Sequence, residues 1–270
     1  MRLFLLPVST RRALIYCERA PLPPSKSTYL DRITTKANQT WANWENTPAT
    51  KAWYAGGWKK QLTLQGNKFL RRIPYQEWGL KTIPALSQRR RDARETMEVK
   101  FPGLFVEKER VAGILERLAT ERQGLHRKRF WWSVVGMPIT IPFALIPIIP
   151  NIPFFYLVFR AYSHWRALSG SLHLQHILSQ NLYTLSPCPT MDALYASGLI
   201  HPSRAAAAAA APPTPEQCER VAETVRREKE GEEVMVLKRW NGKLLADRFG
   251  LPEMEVEIER AVEQVEEGLK

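Results

Sequence analysis

Thirty consecutive residues, Phe130 to Phe159, carry no charged side chain, and the run is bracketed by Arg127-Lys128-Arg129 and by Arg160. A helix rises about 1.5 Å per residue, so the run could reach roughly 45 Å, against a hydrocarbon core of about 30 Å. It is long enough to cross a bilayer once and awkwardly short for two full crossings. Five prolines break it: Pro138, Pro142, Pro147, Pro150 and Pro153. Each lacks an amide hydrogen and clashes with the preceding turn, so one uninterrupted helix is not expected. Asn151 can cap a new helix whose first turn tolerates Pro153. Two apolar arms result, about 130–146 and 152–168, bent around a turn.

Both outer flanks are positive, with His126, Arg127, Lys128 and Arg129 before the run and Arg160 and Arg166 after it. The positive-inside rule places both ends on one side of a membrane. The preferred reading is therefore a hairpin or re-entrant insertion. A single kinked span and a buried helix pair in a soluble core are the alternatives. In lipid, Arg160 has to lie near an interface or snorkel, since a centred arginine costs about 2.5–3.5 kcal/mol on insertion scales. Trp131, Trp132, Tyr156, Tyr162 and Trp165 suit interfacial belts.

Charge is divided along the chain. Residues 1–129 hold 26 Lys and Arg against 11 Asp and Glu, a balance of +15, while residues 160–270 hold 13 against 16, a balance of −3. The N-terminal excess suits an anionic membrane surface or nucleic acid. Cys17, Cys188 and Cys218 are too few and too scattered for a disulfide framework or a zinc site. The opening stretch is too short for a secretory signal. No acid precedes Glu18, a composition like that of a mitochondrial presequence. Two short strands, Leu3 to Val8 and Ala13 to Tyr16, around Ser9-Thr10-Arg11-Arg12 are the preferred reading of that stretch.

Elsewhere the periodicity is helical. Ser27 can cap a helix running through Tyr29, Ile33 and Trp41. Tryptophans 41, 44, 53 and 58 lie among basic residues and can pack, stack on bases or sit at headgroups. From Glu107, Val111, Ile114, Leu115 and Leu118 recur at helical spacing and lead into the basic flank of the apolar run. Ser169-Gly170-Ser171 offers a place for two helices to approach closely. His173 and His176 share a helix face, without further ligands for a metal. Ile258, Val262, Val265 and Leu269 define a last amphipathic helix in an acidic tail. The resulting expectation is a mainly α membrane protein with a small N-terminal β-hairpin and amphipathic flanking helices. Four regions are expected: a basic, Trp-rich region (1–100), an amphipathic helix plus membrane hairpin (101–182), a linker with poly-Ala (183–215) and an acidic helical tail (216–270).

Three blocks carry a family resemblance: RLFLLPVSTRRALIYC at 2–17, RRIPYQEWGLKTIP at 71–84 and PFALIPIIPNIPFFYLVFRAYSHWRA at 142–167. In that order, over roughly residues 1–200, they resemble the fungal mitochondrial K+–H+ exchange-related family. The resemblance implies residence at the mitochondrial inner membrane and a part in potassium–proton exchange, hence in ion and volume homeostasis. It transfers no ion-binding or catalytic residue to this chain. The middle block, read alone, suggests a packed connector.

No glycine-rich phosphate loop, nucleophile elbow or metal cluster supports an enzyme, and no cofactor is expected. The uncharged run offers no carboxylate for a carrier site, and one short hairpin cannot enclose a pore. The expected role is an assembly or regulatory component of exchange rather than the carrier. The alternatives are a basic adaptor tethering RNA or a ribosome to the membrane, and a lipid-organising hairpin. The expected partners are membrane lipids and other membrane proteins or further copies of the chain, with nucleic acid the less favoured.

Overall fold

Residues Leu3 to Leu6 are all fully buried although they alternate in direction, because the strand they form is covered on both faces. In the computed structural model, β1 (Arg2–Pro7) pairs antiparallel with β2 (Ala13–Glu18) and parallel with β3 (Met97–Phe101), which pairs parallel with β4 (Tyr183–Pro187). The sheet order is β2-β1-β3-β4. A strand buried on both sides reads as a continuous apolar run, and Leu3-Phe4-Leu5-Leu6 is such a run. The structure describes residues 1–18, 36, 39–40, 43–44, 46, 57–85, 96–140, 152–228 and 231–269.

Two compact units are present, Met1–Arg19 with Tyr75–Lys270, and Ala20–Pro74. Within the second, residues Gly57–Arg71 form helix α1. The first holds the sheet and the remaining helices: α2 (Tyr75–Thr82), α3 (Lys108–Thr120), α4 (Gln123–Thr140), α5 (Ile152–Ser179), α6 (Pro189–Ile200), α7 (Arg204–Ala209), α8 (Pro215–Glu228), α9 (Asn241–Phe249) and α10 (Pro252–Glu267).

Side chains divide by strand parity into two cores. Leu3, Leu5, Ile15, Cys17, Val99 and Phe101 point to one face and pack with Leu80 and Ile83, Val111 and Leu115 of α3, and Ala167, Leu174 and Ile177 of α5. Phe4, Leu6, Leu14 and Tyr16 point to the other and meet Met191 and Tyr195 of α6, Leu245 of α9, and Met254, Ile258, Val262 and Val265 of α10. The acidic tail thus buries its apolar stripe on the chain's own sheet. Val236 and Leu237 amides also donate to the Val8 carbonyl, tying the tail to the β1–β2 turn.

This architecture corrects the expected fold class. The protein is a mixed α/β structure around a four-stranded sheet, and among the described residues no helix is long and apolar enough to cross a membrane. The physical reason lies in where the charges fall. Among the described residues, α4 rises only about 16 Å from Phe130 to Thr140, and α5 only about 12 Å from Ile152 to Arg160, well short of the ~30 Å hydrocarbon core. The second arm does not stop at Leu168 but continues to Ser179, carrying a face that packs on the sheet. Pro138 sits in the last turn of α4 and Pro153 in the first turn of α5. Pro142, Pro147, Pro150 and Asn151 lie outside the described residues, as do Trp41, Trp53 and most of the expected helix after Ser27.

Candidate functional site

Helices α2, α4 and α5 meet around a carboxylate, and two glycines set how closely they do so. A Cβ on Gly79 of α2 would sit 2.6 Å from the Ile15 carbonyl oxygen of β2. A Cβ on Gly170 of α5 would collide with the Leu80 carbonyl oxygen of α2. The Thr82 hydroxyl accepts a 2.9 Å bond from the Cys17 amide, and His173 Nδ1 donates to the Pro84 carbonyl at 2.6 Å. So α2 is held between strand and helix, which fixes where its polar side chains point. The close approach expected at Ser169-Gly170-Ser171 is the α2–α5 contact.

On α5, Arg160, Ser163 and His164 share one face at helical spacing, and all three are buried. Arg160 donates to both oxygens of Glu77, Nη1 to Oε1 at 3.0 Å and Nη2 to Oε2 at 3.3 Å. The Ser163 hydroxyl donates to Glu77 Oε1 at 2.5 Å and accepts from Lys81 Nζ at 2.9 Å. Glu77 is 1% exposed. Burial alone raises a carboxyl pKa, but the Ser163 bond and the Arg160 guanidinium outweigh it and hold Glu77 below the usual carboxylate range. Lys81 is affected the other way. Burial pushes its ammonium down to about 7, against the attraction of Glu77 and Glu257. Its Nζ also lies 3.2 Å from the centre of the Trp78 ring, over which the Arg260 guanidinium lies at 4.4 Å.

The histidines extend this network to α4. Arg160 Nη2 lies 2.8 Å from His164 Nε2, and His164 Nδ1 lies 3.0 Å from His126 Nδ1. A guanidinium can only donate, so His164 Nε2 accepts and the neutral ring carries its hydrogen on Nδ1. That hydrogen points at His126 Nδ1, which places the His126 hydrogen on Nε2. His126 Nε2 is buried and has no hydrogen-bond partner among the described residues. Burial is the main cause lowering both imidazoles, His164 to about 4. One atom each of Glu77, His126 and His164 could meet at a metal, since they lie within 4.8 Å of one another. The Arg160 donor opposes this, because it demands a proton on the His164 nitrogen that faces His126. The arrangement is a hydrogen-bonded ion-pair network that joins three helices.

Beside the network, α4 and α5 run antiparallel, and a groove of about 350 Å³ between them is lined by Arg129, Trp132, Ser133, Tyr156, Leu157, Arg160 and His164. The outward face of α4 is apolar at helical spacing and exposed: Trp131, Val135 and Ile139, with Trp132 beside them. Ile139 is 70% and Trp132 67% exposed, and Phe155 and Tyr156 of α5 are exposed as well. Arg127, Lys128 and Arg129 are exposed immediately before them. From Arg122 to Met191 the chain has no acidic residue, so Glu77 is a carboxylate supplied to these helices from elsewhere.

The sequence reading found the basic flank, the tryptophans and Arg160, and the structure brings Arg129, Trp132 and Arg160 to one groove. It missed Glu77, Lys81, Ser163 and His164, and it took His126 for a member of the basic flank rather than of a buried network. The available signal was a polar stripe, Arg160-Ser163-His164 on one helix and His126-Arg129-Ser133 on the other, inside and beside an otherwise apolar stretch.

The site defines an α/β protein whose helical layer is held by a buried Glu–Arg–His–His network beneath an exposed aromatic and basic surface. The family described as mitochondrial K+–H+ exchange-related matches residues 2–178, and the chain belongs to it. The match runs from β1 almost to the end of α5 and includes every residue of the network. An uncharacterized protein of Schizosaccharomyces pombe is 32% identical over 180 residues, 66% of this chain and 76% of that protein. An uncharacterized protein of Saccharomyces cerevisiae is 25% identical over 214 residues, 68% of this chain and 65% of that protein. No solved structure matches the chain. The family relates the chain to the mitochondrion and to potassium–proton exchange.

Proposed function

We propose that the protein supports potassium–proton exchange from the surface of the mitochondrial inner membrane, as an assembly or regulatory component rather than as the ion carrier. The observation that carries this reading is the exposed apolar stripe Trp131, Val135 and Ile139 directly after Arg127-Lys128-Arg129, with Phe155 and Tyr156 on the neighbouring helix. Aromatic residues beside cations suit a headgroup interface, where the rings enter the acyl boundary and the cations face anionic lipid. Exposed apolar stripes of this kind mark protein or membrane contact sites. Glu77, the carboxylate bonded to Arg160, is committed to Arg160 and Ser163 and is not offered to a permeating cation.

The test has two arms. Mitochondria lacking the chain should swell more slowly in potassium acetate and recover on re-expression, while the purified chain in liposomes should exchange no potassium for protons. Exchange by the purified chain alone would overturn the regulatory reading.

A further inference from the structure

We infer that the groove between α4 and α5 is a binding site for the phosphate of an anionic phospholipid; this rests on the membrane-surface reading above and gives it a specific ligand. Of the lining residues the buried ones, Ser133, Arg160 and His164, are polar, and the exposed ones include the rings of Trp132 and Tyr156, so the groove's base is polar and its mouth largely apolar. Arg160 is neutralised there by Glu77, and its bonds to Glu77 and His164 use three of its five N–H donors. The other two make no hydrogen bond among the described residues, and Arg160 lines the groove. Arg129 adds a charge that no acidic residue of the groove lining offsets. The Tyr156 hydroxyl adds a donor to an anion, and the Ser133 hydroxyl already donates to the Arg129 carbonyl.

The exposed rings of Trp132 and Tyr156 line the groove, so a headgroup seated at Arg129 would leave its acyl chains against aromatic rings. A free phosphate uses the base of this groove and ignores its apolar mouth; a phospholipid uses both. Charge complementarity extends beyond the groove, since the chain from Arg122 to Met191 contains basic residues and no acid.

The full chain would be sedimented with vesicles of phosphatidylcholine alone and of phosphatidylcholine with phosphatidylglycerol. Binding to the anionic vesicles is expected, and Arg127→Gln should weaken it about fivefold, as for one cation removed from an anionic surface. Arg129→Gln should weaken it more than tenfold. Tyr156→Phe keeps the charge and the ring and adds slightly to the apolar area, and should still weaken it severalfold, with the melting temperature unchanged. If Arg129→Gln equals Arg127→Gln and Tyr156→Phe has no effect, the groove assignment falls and general surface binding remains. If neither vesicle is bound, both fall. If millimolar inorganic phosphate displaces the vesicles as well as the anionic lipid holds them, the site is for free phosphate and the lipid assignment is overturned.

Discussion

Arg160 holds both carboxylate oxygens of Glu77, a residue 83 positions earlier in the chain, with both side chains almost fully withdrawn from water. A buried pair of this kind adds little stability against an apolar replacement, but breaking it leaves one charge uncompensated. Glu77→Gln should therefore cost about 3–5 kcal/mol in chemical denaturation. Glu77→Leu combined with Arg160→Met should cost less than the sum of the two single changes. Additive losses would mean that the two side chains do not act as a pair.

The histidine pair predicts acid sensitivity. An imidazole in the unfolded chain takes up its proton near pH 6.5, whereas folded His164 does so only at about 4. The unfolded state therefore binds more protons in that window, and stability falls with falling pH. The contribution of His164 is complete above pH 6.5 and lost as pH falls to about 4. His126 shifts in the same direction. One added proton on either ring would also set two donors against each other, between the rings if it goes to His126 Nδ1 and at Arg160 if it goes to His164 Nε2. Thermal melts of the chain from pH 7.5 to 4.5 should fall steeply, and His164→Gln should flatten the profile.

Lys81 acts in a different window. Its folded pKa of about 7 lies below the unfolded value of 10.5, so the unfolded state binds the extra proton between these limits. The stability linked to Lys81 therefore rises with pH across that range and is largest above 10.5. Lys81→Met should remove this alkaline rise, read from denaturation midpoints between pH 7 and 9.5.

Gly170 predicts a steric effect independent of charge. Its Cβ would meet the backbone oxygen of Leu80, which no side-chain rotation can relieve. Gly170→Ala should destabilise the chain by about 1–3 kcal/mol, as overpacking does. Gly113→Ala, on an open face of α3, should be neutral or stabilising.

Local pattern was legible where one element decides its own burial. The hairpin Leu3–Val8 with Ala13–Tyr16, the stripe Val111–Leu115 and the stripe Ile258–Val262–Val265 all follow from spacing, whereas Leu269, counted with that last stripe, lies beyond α10 and is exposed. Strands β3 and β4 were not legible, because five-residue segments such as Met-Glu-Val-Lys-Phe gain their identity from a partner far along the chain. Val99 pairs with Leu185, and the whole α3–α4–α5 layer lies between them. The same blindness explains the membrane reading of 130–159. The uncharged run looked like a solvent preference for lipid because its counter-charge, Glu77, sits in another block. Arg160 read as the end of an apolar segment, whereas it is the centre of a polar one.

Alkaline carbonate extraction of mitochondria separates the proposed surface attachment from insertion across the bilayer. A surface-bound chain is expected in the membrane fraction at neutral pH and in the supernatant after carbonate. Retention in the carbonate pellet would contradict it.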